Sequence, residues 1–164
     1  MKMKMKKIIV SAILAITLAG NASAAELFTA PEKKKMMQLT LDSFWGKARD
    51  SKGQPVQPKD DKERNTLPIS TAQANHIIDK GAESGLAQWC DVAWQERYQL
   101  IIAQLQKGLT SDTQVAYAGV LHGLAQHTML DSMKKEKCDS DTREQMQTLM
   151  TDDIKNLKRS LATQ

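Results

Sequence analysis

Val115-Ala116-Tyr117-Ala118-Gly119-Val120-Leu121-His122-Gly123-Leu124-Ala125 decides the fold of this chain. Wound as a helix, the stretch carries apolar residues on every side. A helix of that kind is a buried one, so this segment is expected to form the centre of a helical bundle. Gly119 and Gly123 lie four residues apart, share a face and would let a neighbouring backbone approach. Each glycine costs about 1 kcal/mol of helix stability relative to alanine, which close packing would offset. Tight packing within one chain is the first expectation, and a seam between two copies of a homodimer is the other.

Four more segments have helical apolar spacing, and none has the character of a strand. Thr29-Ala30-Pro31-Glu32 opens the first as a capping box with proline in the first turn. Its stripe is Met37, Leu41, Phe44 and Trp45, ending near Gly46. Ser70 with Gln73 caps a short helix through Ile77 and Ile78, which Gly81 and Gly85 are expected to end. A long helix would then run from about Leu86 to Lys107, striped by Cys90, Trp94, Ile101 and Leu105, with Gly108 as a left-handed cap. Ser111 with Gln114 caps the central helix, which reaches to about Met133. The last helix, from about Asp141 to Leu161, spaces Met146, Leu149, Met150, Ile154, Leu157 and Leu161 mostly by three and four. Between the first two helices, Asp50 to Pro68 is charged and rich in turn residues, so it is expected to be an exposed, mobile loop. The fold class expected is all-α, a compact bundle of about five helices.

The N-terminus reads as a signal peptide. Met1 to Lys7 contains only Met and Lys, Ile8 to Ala19 is almost wholly apolar, and Ala22-Ser23-Ala24 supplies small residues for cleavage. The apolar run is shorter than the roughly 20 residues a spanning helix needs. No cysteine follows it closely, which excludes lipoprotein attachment. Cleavage after about Ala24 would leave a single helical domain, residues 25–164, in the periplasm with no membrane anchor. Lys2, Lys4, Lys6 and Lys7 leave with the signal, which takes the 23 basic residues down to 19, equal to the 19 acidic ones. A domain without basic excess is not a nucleic-acid binder.

Export also sets the meaning of the two cysteines. In an oxidising compartment, Cys90 and Cys138 with no third thiol read as one intramolecular disulfide. Closing that loop is worth about 4 kcal/mol in the chain-entropy account.

Motifs of catalysis are missing from the sequence. No G-x-S-x-G elbow, P-loop, dinucleotide fingerprint or C-x-x-C-H occurs. His122 and His127 are five apart and point to different faces of one helix, His76 lies elsewhere, and no metal set emerges. Asp60-Asp61 and Asp152-Asp153 are adjacent pairs of the kind that is solvated. No cofactor and no enzymatic activity are expected. His122 is instead the candidate buried polar residue, expected to be a hydrogen-bonded histidine of the core or of a groove; if it is buried and neutral, acid must charge it and loosen the fold. Trp89, Trp94 and Tyr98 concentrate aromatic bulk, with Trp94 and Tyr98 one turn apart; they are the candidate interface.

The layout of a cysteine, two helices, a second cysteine about fifty residues on, and an amphipathic helix resembles small periplasmic acid-stress chaperones. It equally resembles helical immunity proteins that neutralise toxins aimed at the cell wall. This likeness spans about half of the chain, rests on spacing, and carries over no functional residue. The function expected is a non-enzymatic periplasmic domain that binds another protein, of inhibitor or immunity type. An acid-stress chaperone is the alternative, and a small hydrolase or ligand carrier a third.

Overall fold

The computed structural model describes residues 27–109 and 111–163. The features of the signal peptide lie outside them. Among the described residues there are six helices: α1 (Ala30–Phe44), α2 (Asp61–Arg64), α3 (Thr71–Trp89), α4 (Gln95–Gly108), α5 (Asp112–Met133) and α6 (Ser140–Ala162). Extended structure is limited to one bridge between Arg49 and Pro55. The all-α bundle is as expected.

Helix starts follow the capping chemistry. Thr29 N–H donates to the Glu32 carboxylate at 2.7 Å before α1. Ser70 and Gln73 exchange bonds of 3.2 and 3.0 Å before α3, and Gln114 N–H donates to Ser111 Oγ at 3.3 Å before α5. At the other end of α1, Gly46 takes a φ of +77°, the left-handed region open to glycine.

The division between α3 and α4 differs from expectation. Gly81 and Gly85 do not end a helix; α3 runs through both and stops at Trp89. There Val92 N–H bonds to Ala87 C=O at 2.8 Å and Asp91 N–H to Gln88 C=O at 3.1 Å, the paired bonds of a Schellman stop. The left-handed position of that motif is filled by Asp91, φ +56°, rather than by glycine. Gly108 is the last residue of α4 and has no positive φ.

The glycines of α3 serve packing instead. A β-carbon on Gly81 would sit 2.5 Å from His122 C=O, and one on Gly85 would sit 2.5 Å from Gln126 C=O. The backbones of α3 and α5 therefore meet through Gly81 and Gly85. Gly119 and Gly123, which were expected to take that part, do not. A β-carbon on Gly119 would sit 3.4 Å from the Tyr98 hydroxyl, an ordinary approach, and one on Gly123 would meet nothing within 4 Å. Helix α5 is central, but its Val120, Gly123 and His127 face outward because α4 crosses near Gly119 and leaves them uncovered.

The apolar core comes from α1, α3 and α5, with Phe28, Val56 and Ile69 added from connecting segments. Tyr117 stands at its centre, fully buried, its hydroxyl donating to Met37 C=O at 2.8 Å. Lys33 of α1 is buried against Asp79 of α3 at 2.8 Å. Helix α6 packs chiefly on α4 and less on α3. Together α4 and α6 bury only Arg97, Ile101 and Met150.

The 50–68 segment is exposed along most of its length but is not featureless. Gly46 N–H bonds to Val56 C=O and Val56 N–H to Ala48 C=O, at 2.8 and 2.9 Å. Trp45 Nε1–H then donates to Arg64 C=O at the end of α2, at 3.0 Å. No helix among the described residues is long and apolar enough to cross a membrane.

Candidate functional site

Cys90 and Cys138 are bonded, with Cα atoms 5.2 Å apart. Cys90 is the C-cap of α3, and Cys138 lies in the connection into α6. Trp89 reinforces the same junction, since its Nε1–H donates to Glu136 C=O at 3.1 Å. Among the three aromatic residues of the expected interface, Trp89 therefore belongs to the crosslinked end.

Trp94 and Tyr98 come together as expected from their spacing. Trp94 is the N-cap of α4, and its ring meets Tyr98 edge-on at 6.2 Å. Both are half-buried. Tyr98 in turn lies over His122, ring centres 4.7 Å apart. Its hydroxyl reaches Gly119, and beside that contact Val120 is 39% exposed and Gly123 is open. The result is an aromatic and aliphatic surface shared by α4 and α5. It is rigidly backed, because Tyr98 rests on a buried imidazole.

Behind that surface lies a cluster of charged residues. Arg97, on α4, is 0% exposed. Its Nε–H donates to Asp153 of α6 at 2.9 Å, and Nη1–H donates to Lys80 C=O at 3.0 Å and to Ser84 Oγ at 3.1 Å. Its Nη2 contacts both Glu83 and Asp153. Lys80 Nζ completes a ring of ion pairs, 3.0 Å from Glu83 and 2.9 Å from Asp153. Two cations and two carboxylates make this seam neutral overall. It joins α3, α4 and α6. Burial works against the charge on Asp153, but hydrogen bonds and charges from Lys80 and Arg97 outweigh it and hold its carboxyl below the ordinary range.

His122 attaches α5 to the seam. It is 1% exposed, and its Nε2 lies 3.2 Å from Ser84 Oγ. The Ser84 hydroxyl donates to Lys80 C=O at 3.0 Å and accepts from Arg97. Ser84 Oγ thus accepts from His122, which assigns the proton of the neutral imidazole to Nε2. Nδ1 is left buried with no hydrogen-bond partner. A second proton there would create an unpaired donor and a cation near Arg97. Burial first, then the Arg97 charge, lower the His122 pKa to about 4. His122, the candidate buried polar residue, thus lies inside the bundle rather than along an open groove.

Serine beside histidine is also the geometry of a nucleophile and its base. Here Ser84 Oγ is fully buried and already holds three polar neighbours. One surface cavity, of about 340 Å³, lies between the 60–68 segment and the start of α5. Another, of about 280 Å³, is lined by His76, Lys80, Gln104, Asp153 and Ser160, among others. Neither is lined by Ser84 or His122. Among the described residues, no group of three potential ligands is placed to hold a metal ion.

Asp153, expected to be solvated with Asp152, is instead a half-buried member of the seam. Asp60 has a local task, accepting from Glu63 N–H at 2.7 Å as the cap of α2. Arg97, Glu83 and Lys80 were not singled out from the sequence, although a signal existed. Asp153 falls within the apolar stripe of α6, four residues after Leu149 and four before Leu157. Arg97 does the same on α4, three after Trp94 and four before Ile101. A charge on the buried stripe of two neighbouring helices is a pairing signal. The chain matches no protein family, no curated protein and no solved structure.

Proposed function

We propose that this chain is an exported, non-enzymatic domain that binds another protein, of the inhibitor or immunity type. One observation carries the reading: the Trp94–Tyr98 pair meets edge-on, half-buried, and is set beside exposed Val120 and the open Gly123. Aromatic anchors on a rigid backing are what dominate binding energy at protein interfaces. The disulfide supports the exported compartment, since such bonds persist where thiols are oxidised. The exposed 50–68 segment offers a second, more polar contact region.

Capture from periplasmic extract with the tagged domain, residues 25–164, tests this. A protein enriched by wild type and lost with Trp94→Ala supports the reading. Recovery of nothing across growth conditions counts against it.

A second reading, an acid-stress chaperone, is favoured by the buried Arg97–Asp153–Glu83 seam and the neutral His122 on its edge. It requires that the protein suppress aggregation of a client in strong acid. An inhibitor or immunity protein has no reason to do so.

A further inference from the structure

The apolar core and the charged seam divide the bundle unequally. The core cluster draws on α1, α3 and α5, while the buried residues of α4 and α6 are Ile101, Met150 and Arg97 alone. Leu105 reaches only the edge of that core. Asp153 is the charged tie of α6 to both α3 and α4. A buried guanidinium is tolerated only while its counter-charges are ionised.

The titratable and charged groups facing the seam come from four helices. From α3 come Lys80, Glu83 and, at the rim of the adjoining cavity, His76. Helix α4 contributes Arg97, with the Tyr98 ring tilted against His122. His122 comes from α5 and Asp153 from α6. Strong acid neutralises Asp153 once pH falls below its lowered pKa, and adds a positive charge at His122, whose Nδ1 has no acceptor. The neutral seam thus gains net positive charge around Arg97.

The connections leading into α4 and α6 meet at one point. The Cys90–Cys138 bond and the Trp89–Glu136 hydrogen bond join them there. Helix α4 is held at its other end as well, by the short link through Leu109, which packs on the core, into α5; a hinge at the crosslink therefore frees α6 and leaves the α1–α3–α5 core undisturbed.

We propose that α6 forms an acid-released flap, hinged at the Cys90–Cys138 crosslink and latched by Asp153 to Arg97 and Lys80. Release uncovers Met150 together with the face of α4 beneath it. This deepens the chaperone reading, on which only its purpose rests. Its test reads structure alone, so the flap can fail while client protection succeeds, or the reverse.

Peroxide oxidation of methionines, followed by mass spectrometry of peptides from the disulfide-intact protein, separates the two parts. Met150 is 2% exposed and reports on α6; Met36 and Met37, 7% and 5% exposed, report on the core. Between pH 7 and about pH 2, Met150 should become about tenfold more reactive while Met36 and Met37 stay protected, the signature of a sub-global opening. Continued protection of Met150 at the acid end of that range overturns the proposal. So does simultaneous exposure of Met37, which means global unfolding. Asp153→Asn should raise Met150 reactivity at pH 7 with helix content unchanged by circular dichroism. If that variant does not fold, His122→Gln serves instead: it should move the Met150 transition to lower pH, and an unmoved transition counts against the latch.

Discussion

His122 sets the pH dependence of this fold at the scale of one residue. Its pKa is about 4 in the folded chain against 6.5 for a free imidazole. A base whose folded pKa is depressed costs nothing at neutral pH. The cost appears as pH falls through 6.5, where only the unfolded chain takes the proton, and is complete below about 4. By pH 4 it amounts to about 3 kcal/mol at 1.36 kcal/mol per unit. Asp153 acts in a lower window with the opposite origin: its carboxyl is held below the ordinary range, and its contribution disappears as pH falls through that lowered value. Urea denaturation at pH 7 and pH 4.5 should show His122→Gln losing about 2 kcal/mol less than wild type across the interval. An equal loss in both proteins removes His122 as the cause. The burial of this histidine was legible, because it lies on a helix that is apolar all round. Its partners were not. Ser84, Arg97 and Asp153 come from three other helices, and no spacing along the chain states which helices will be neighbours.

Elements, taken one at a time, were legible at their beginnings and less so at their ends. Thr29, Ser70 and Ser111 mark helix starts because a side-chain oxygen must accept orphan N–H groups there, and the residue types able to do so are few. The end of α3 was hidden because Asp91, not glycine, adopts the left-handed turn. Gly81 and Gly85 drew attention as breakers, yet a glycine inside a helix can equally mark close packing. Substitution separates the two meanings. Gly81→Ala places a methyl 2.5 Å from His122 C=O and should cost about 1–3 kcal/mol as overpacking, despite the better helix propensity. Gly123→Ala meets only open space and should stabilise by about 0.5–1 kcal/mol. Paired thermal melts check both signs. A destabilised Gly123→Ala protein would point to a contact at that face, as a seam between two copies requires.

The whole molecule is held by one crosslink and two unlike interiors, one apolar and one ionic. The disulfide spans a sequence separation of 48, and replacing both cysteines by serine should cost about 2–4 kcal/mol. Urea midpoints of the oxidised and reduced wild type test the same quantity without substitution. If the two coincide, the crosslink contributes nothing to equilibrium stability. The helical class and the cysteine pairing were legible at this scale, because amphipathic periods and a lone pair of thiols leave few alternatives. That the second interior is ionic was not, since each charged residue taken singly reads as surface.

The meeting of α3 and α5 through Gly81 and Gly85 also bears on the order in which the chain assembles. These two helices are separated in sequence by α4, so their docking must bulge out the segment from Asp91 to Ser111 before that segment has a surface to settle on. Desolvating Arg97 is worthwhile only once Glu83 and Asp153 are both in place, which makes the ionic interior the last part of the molecule to form and the first to come undone.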